Sequence, residues 1–108
     1  MKIKFTKEER RFITLIIEDA TNAAQKGKDR DTAREGRRLL NQFTAANDTS
    51  DLKWKEFCVI TSLVETSIEV LEKILNKDVQ KNDTVKTNLD FAKTFSPRLA
   101  ELSELWNQ

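Results

Sequence analysis

The stretch SDLKWKEFCVITSLVETSIEVLEKILN, residues 50–76, decides the fold. Phe57, Ile60, Val64, Ile68, Leu71 and Leu75 recur at i, i+3, i+7, i+11, i+14 and i+18, the period of a straight α-helix and not of a strand. Val59, Leu63, Val70 and Ile74 form a second apolar strip beside the first. Only about a third of the circumference is left polar, which predicts a helix of about 40 Å covered by other helices on more than one side.

Before this helix, Asn47-Asp48-Thr49-Ser50-Asp51 is a run of capping residues, expected to end one helix and open the next. The preceding helix is predicted from Asp29 or Asp31 to near Asn47, with Ala33, Gly36, Leu40 and Phe43 on one face and Leu39 and Ala46 flanking it. Glycine inside a helix costs about 1 kcal/mol relative to alanine. Gly36 on the apolar face is therefore read as a close approach of a neighbouring helix, or else as a weak point in a short one.

Further toward the N-terminus, Thr6-Lys7-Glu8-Glu9 is a capping box, in which the Thr6 hydroxyl and the Glu9 carboxylate each accept from the other residue's amide. Phe12, Ile13, Ile16, Ile17, Ala20, Ala23 and Ala24 follow on one side of a first helix, and Gly27 after Lys26 is expected to be its left-handed cap. On the other side of the central stretch, Asp78 to Thr84 is polar and reads as a loop. Val85, Leu89, Phe91, Ala92 and Phe95 mark a fourth helix. Ser96-Pro97 reads as a cap and first position of a short fifth helix bearing Leu99, Leu102, Leu105 and Trp106, or as a kink within one longer helix.

The expected fold class is therefore all-α: a single domain over residues 1–108, built as a small antiparallel bundle of four to five helices around a long buried central helix at about 50–76. Two Gly, one Pro and no Tyr are too few turn-formers for a β-protein, and 38% hydrophobic residues argue against disorder. The longest unbroken apolar run is four residues, Phe57 to Ile60, far below the roughly 20 that span a bilayer. Nothing near Met1 resembles a signal peptide, so no membrane association and a cytoplasmic location are expected. The richness in Lys, Asn, Thr and Ile suits a bacterial or phage accessory protein.

The chemistry-bearing residues are few. The chain has no His, which removes the commonest general base and zinc ligand. Cys58 is the only cysteine and lacks a partner for a disulfide, a ligand set or an activated nucleophile. Two isolated glycines build no phosphate loop or dinucleotide fingerprint. No cofactor is expected. Carboxylates remain: Glu65, Glu69 and Glu72 form an acidic stripe, and Glu69-x-x-Glu72 with Glu101-x-x-Glu104 resembles the paired acidic motifs of the all-α nucleoside triphosphate pyrophosphohydrolases. That resemblance would imply magnesium held between facing helices by Glu69, Glu72, Glu101 and Glu104. It covers four residues, departs where those enzymes place an Asp, and meets Pro97 in the helix such a site needs. Among 18 acids, chance spacing is the better account, and no enzyme activity is expected.

The other charged feature is a set of arginines, Arg30, Arg34, Arg37 and Arg38, on the side of the second helix opposite Leu40 and Phe43, with Lys26 and Lys28 just before it. The guanidinium fork suits carboxylate and phosphate, so this face is expected to dock an acidic protein partner unless it is simply solvated, with Asp31 and Glu35 interleaved. Nucleic acid is the lesser alternative. The net charge is only +1, and no aromatic residue stands among the arginines to stack on bases. Trp54 and Trp106, near helix ends, are core edges or interface anchors. If the strip of Val59, Leu63 and Val70 is uncovered within one chain, a homodimer through it is expected. The resulting expectation is a non-enzymatic protein-binding or regulatory module.

Overall fold

The computed structural model describes residues 1–44, 49–77 and 83–106. Among the described residues, four α-helices and one two-stranded sheet occur in the order β1 (Lys2–Lys4), α1 (Lys7–Lys26), α2 (Arg30–Thr44), β2 (Thr49–Asp51), α3 (Trp54–Lys77) and α4 (Asp83–Trp106). The fold is all-α, a small helical bundle in which the sheet is a minor element. The chain divides into two compact units, Met1–Ile60 and Thr61–Gln108.

In the first unit, α1 begins as its local chemistry dictates. Thr6 is extended, its hydroxyl accepts from the Glu9 amide at 3.1 Å, and the Glu9 carboxylate accepts from the Thr6 amide at 2.8 Å. Phe12, Ile13, Ile16 and Ile17 are buried, while Ala23 is exposed. The helix ends differently from expectation. Gly27 has φ −80°, and the left-handed residue is Lys28 at φ 61°. The Lys28 amide donates to the Gln25 carbonyl at 3.1 Å and the Asp29 amide to the Ala24 carbonyl at 2.9 Å. These are the two bonds of a Schellman ending, which puts the left-handed demand one residue beyond the glycine. A non-glycine residue there costs about 1–2 kcal/mol.

Asp29 caps α2. Its carboxylate accepts from the Thr32 amide at 3.2 Å and the Thr32 hydroxyl at 2.6 Å. Ala33, Leu39 and Phe43 are the buried face of α2, with Leu40 half-buried. The close approach expected at Gly36 is present and its partner is Thr21 of α1. A Cβ on Gly36 would overlap the Thr21 hydroxyl and lie 3.2 Å from its Cβ. The Thr21 hydroxyl is itself committed, donating to the Ile17 carbonyl at 2.7 Å. Ala46, Asn47 and Asp48 lie outside the described residues.

Thr49 to Asp51 do not cap α3. They form β2, antiparallel to β1 with Lys2 opposite Asp51, Ile3 opposite Ser50 and Lys4 opposite Thr49. The alternation Lys2-Ile3-Lys4-Phe5 turns Ile3 and Phe5 inward, 3% and 1% exposed. The start of α3 therefore moves from about residue 50 to Trp54. There the Glu56 carboxylate accepts from the Lys53 amide at 2.9 Å, the acidic half of a capping box without a hydroxyl partner. The other Glu56 oxygen accepts from the Gln42 side chain of α2 at 2.9 Å.

Arg10 holds this unit together at a second point. One guanidinium nitrogen donates to the Ser50 hydroxyl at 3.1 Å, and the other lies 3.3 and 3.4 Å from the Gln42 and Phe43 carbonyls. The last turn of α2 has no basic residue of its own. Arg10 supplies the positive charge its carbonyls favour, and its guanidinium carbon stands 5.5 Å from the centre of the Phe43 ring.

α3 is continuous for 24 residues, as its period predicts. Phe57, Ile60 and Val64 are buried, and Ile68, Leu71 and Leu75 half-buried. The second strip is not covered as expected: Val59, Val70 and Ile74 are 40%, 48% and 40% exposed, and only Leu63 is half-buried. In the second unit α4 runs from Asp83 through Pro97 as one longer helix, the second of the two expected alternatives, so Ser96 is not an N-cap and residues 98–106 form no separate helix. Leu89, Ala92, Phe95 and Leu99 keep one buried stripe across the proline, and that continuity outweighs the missing amide. The Lys93 carbonyl that loses its helical donor is on an exposed residue where water can reach it. Residues 78–82 of the expected loop lie outside the described residues.

Candidate functional site

Along α2, Arg30, Arg34, Arg37 and Arg38 stand at i, i+4, i+7 and i+8 and are all exposed. They span about 12 Å of helix axis. Packing of Ala33, Leu39 and Phe43 inward leaves the arginines no choice but the outer side. By the 3.6-residue period, Asp31 and Glu35 lie to the Arg38 flank of the row and not within it. Glu35 is drawn toward Lys55 of α3, 3.9 Å away across two exposed side chains. Such a pair is worth little in stability. Asp29 turns both oxygens to Thr32, whose hydroxyl and then whose amide hold its carboxyl below the ordinary value of 3.8. None of the four arginines has an ion-pair partner among the described residues.

The N-terminal end of this row opens onto a concavity at the α1–α2 corner, about 430 Å³ in volume. Gln25 of α1, Lys28 of the turn, and Arg30, Ala33 and Arg37 of α2 line it. Among the described residues no carboxylate lines it. Sequence reasoning placed Arg30 and Arg37 on one face but had no means of assigning Lys28 to the same hollow. Its position follows from the left-handed turn, which places Lys28 between the helices.

The remaining candidates are dispersed. Trp54 opens α3, 43% exposed and stacked on Phe57 with ring centres 5.8 Å apart. Trp106 is the last described residue of α4 and is half-buried. Cys58 is an exposed free thiol. As for Glu69, Glu72, Glu101 and Glu104, among the described residues no group of three or more His, Cys, Asp or Glu side chains could hold a metal ion. Glu72 instead pairs with Lys93 of α4 at 3.2 Å, because its place at the edge of the α3 apolar stripe turns it toward the neighbouring helix. Among the described residues no helix is long and apolar enough to cross a membrane.

The class that fold and site define is a small all-α bundle with a one-sided arginine face. Comparisons with family models, with curated proteins and with solved structures each find no match.

Proposed function

We propose that this chain is a non-enzymatic protein-binding module of the cytoplasm that docks an acidic partner on the exposed arginine face of α2. One observation carries the reading. Four guanidinium groups stand in a row without ion-pair partners among the described residues, while the acids of the same helix are engaged elsewhere or set to one flank. A purely solvated face would interleave the two signs, and surface pairs between them would form freely. Charge complementarity would set the on-rate and the choice of partner, so binding weakens as ionic strength rises. In co-purification, the acidic partner is captured by the native chain and released by the double reversal Arg34→Glu with Arg37→Glu, which leaves the circular-dichroism spectrum unchanged. Equal capture by both proteins removes the arginine face from the interaction. The same preparations are tested against duplex and single-stranded DNA and RNA at about 50 mM salt, where phosphate-driven binding is strongest. Tight binding there moves the face to nucleic acid.

The uncovered strip on α3 favours a second reading, self-association. Val70 and Ile74 are large apolar side chains exposed one turn apart on α3, and monomers usually avoid extending such exposure into a patch. Sedimentation is expected to show a dimer that Val70→Glu dissociates; a strict monomer at high protein concentration rules this out.

A further inference from the structure

We infer that the hollow at the α1–α2 corner is a subsite for a phosphoryl dianion, so that the acidic partner docking on α2 carries a phosphate group at this end. The inference rests on the docking role proposed above and names the chemistry of one contact within it. Three of the described residues that line the hollow, Lys28, Arg30 and Arg37, are cationic, and beside the small buried Ala33 the other is Gln25, whose amide nitrogen can donate. Three cations around one hollow are poorly matched by a single carboxylate. A phosphomonoester brings nearly two negative charges and three acceptor oxygens, enough to engage both forks and the ammonium at once. The volume of about 430 Å³ admits the group together with part of what carries it.

Two of these cations stand where the local backbone does not favour them. Arg30 is the first residue of α2, where the positive end of the helix disfavours a cation. Lys28 takes a left-handed conformation, although a glycine stands one position earlier. An anion in the hollow relieves the mutual repulsion of Lys28, Arg30 and Arg37 and the conflict with the helix end together.

The test is a calorimetric titration of the full chain with three probes: inorganic phosphate, a short acidic peptide bearing one phosphoserine, and the same peptide with aspartate in its place. The phosphopeptide is expected to bind at least tenfold more tightly than the aspartate peptide. Arg30→Gln and Arg37→Gln should each weaken the phosphopeptide several-fold more than the aspartate peptide, and so remove most of that difference. Lys28→Gly supplies a readout that a merely structural role would not give, since it should raise the melting temperature and weaken phosphopeptide binding at the same time. Equal affinity for the two peptides overturns the phosphate subsite and leaves the acidic docking face standing. Binding of neither peptide, by the native chain or the variants, overturns both. Inorganic phosphate bound as tightly as the phosphopeptide, and lost in Arg37→Gln, upholds the subsite and assigns it to the free ion.

Discussion

Gly36 and Thr21 show how one missing methyl group sets the spacing of two helices. Alanine at Gly36 would gain about 1 kcal/mol of helix propensity. It would also drive a Cβ into a threonine whose hydroxyl is already bonded to the Ile17 carbonyl. Overpacking of this kind costs typically 1–3 kcal/mol, and turning the hydroxyl away would forfeit its bond. The clash wins: Gly36→Ala is expected to lower stability by about 1 kcal/mol net, and Thr21→Ala in the same chain to recover part of the loss. A chemical-denaturation cycle of the four proteins checks this, and additive effects would mean that the two residues do not touch. Arg10 argues the complementary case. Its fork reaches Ser50 and two carbonyls at the end of α2, and lysine has one donor head for those positions. Arg10→Lys is expected to destabilise nearly as much as Arg10→Met, by roughly 1.5–3 kcal/mol, in urea melts of both variants. Full rescue by lysine would reduce the contact to charge alone.

At the scale of elements, what could be read from the sequence was whatever is local. The Thr6 box and the period of α3 each involve residues within a few positions of one another, and each stands in the structure, whereas the left-handed cap expected at Gly27 falls on Lys28. Asp29 belongs with them. Its carboxylate is held below the ordinary value by the Thr32 hydroxyl and amide, so the folded state favours the charged form. That contribution is present above the unfolded value and is lost as pH falls through the lower folded one. The gap in melting temperature between the native chain and Asp29→Ala should therefore be constant near neutrality and narrow below about pH 4. A gap unchanged down to pH 2 would deny the carboxylate its capping role. At residues 49–51 the structure departs from the sequence reading because the partner is far away in sequence. Thr49, Ser50 and Asp51 have the composition of a cap and are strand residues because Lys2 to Lys4 pair with them. Lys-Ile-Lys is too short a signal to announce a strand unaided. Pro97 left two readings open, a new helix or one longer helix, and α4 takes the second because its buried stripe continues. The candidate site divides in the same way. The arginine row was visible as a spacing, but the hollow beside it needed the α1–α2 turn to bring Gln25 and Lys28 to Arg30 and Arg37.

For the molecule as a whole, the pairing of β1 with β2 has a consequence for the order in which the first unit assembles. Lys2 and Asp51 are joined through nearly the whole of that unit, so closing this ring of chain sacrifices far more conformational freedom than folding α1 back on α2. Contacts of long sequence separation form late and slow the passage to the native state. The two strands should act as a clasp that shuts after the helical hairpin and slips open before it. Native-state hydrogen exchange is expected to find the strand amides exchanging through a small opening while those of Ile13 to Ile17 await global unfolding; protection of equal depth in both would make the unit one inseparable cooperative block.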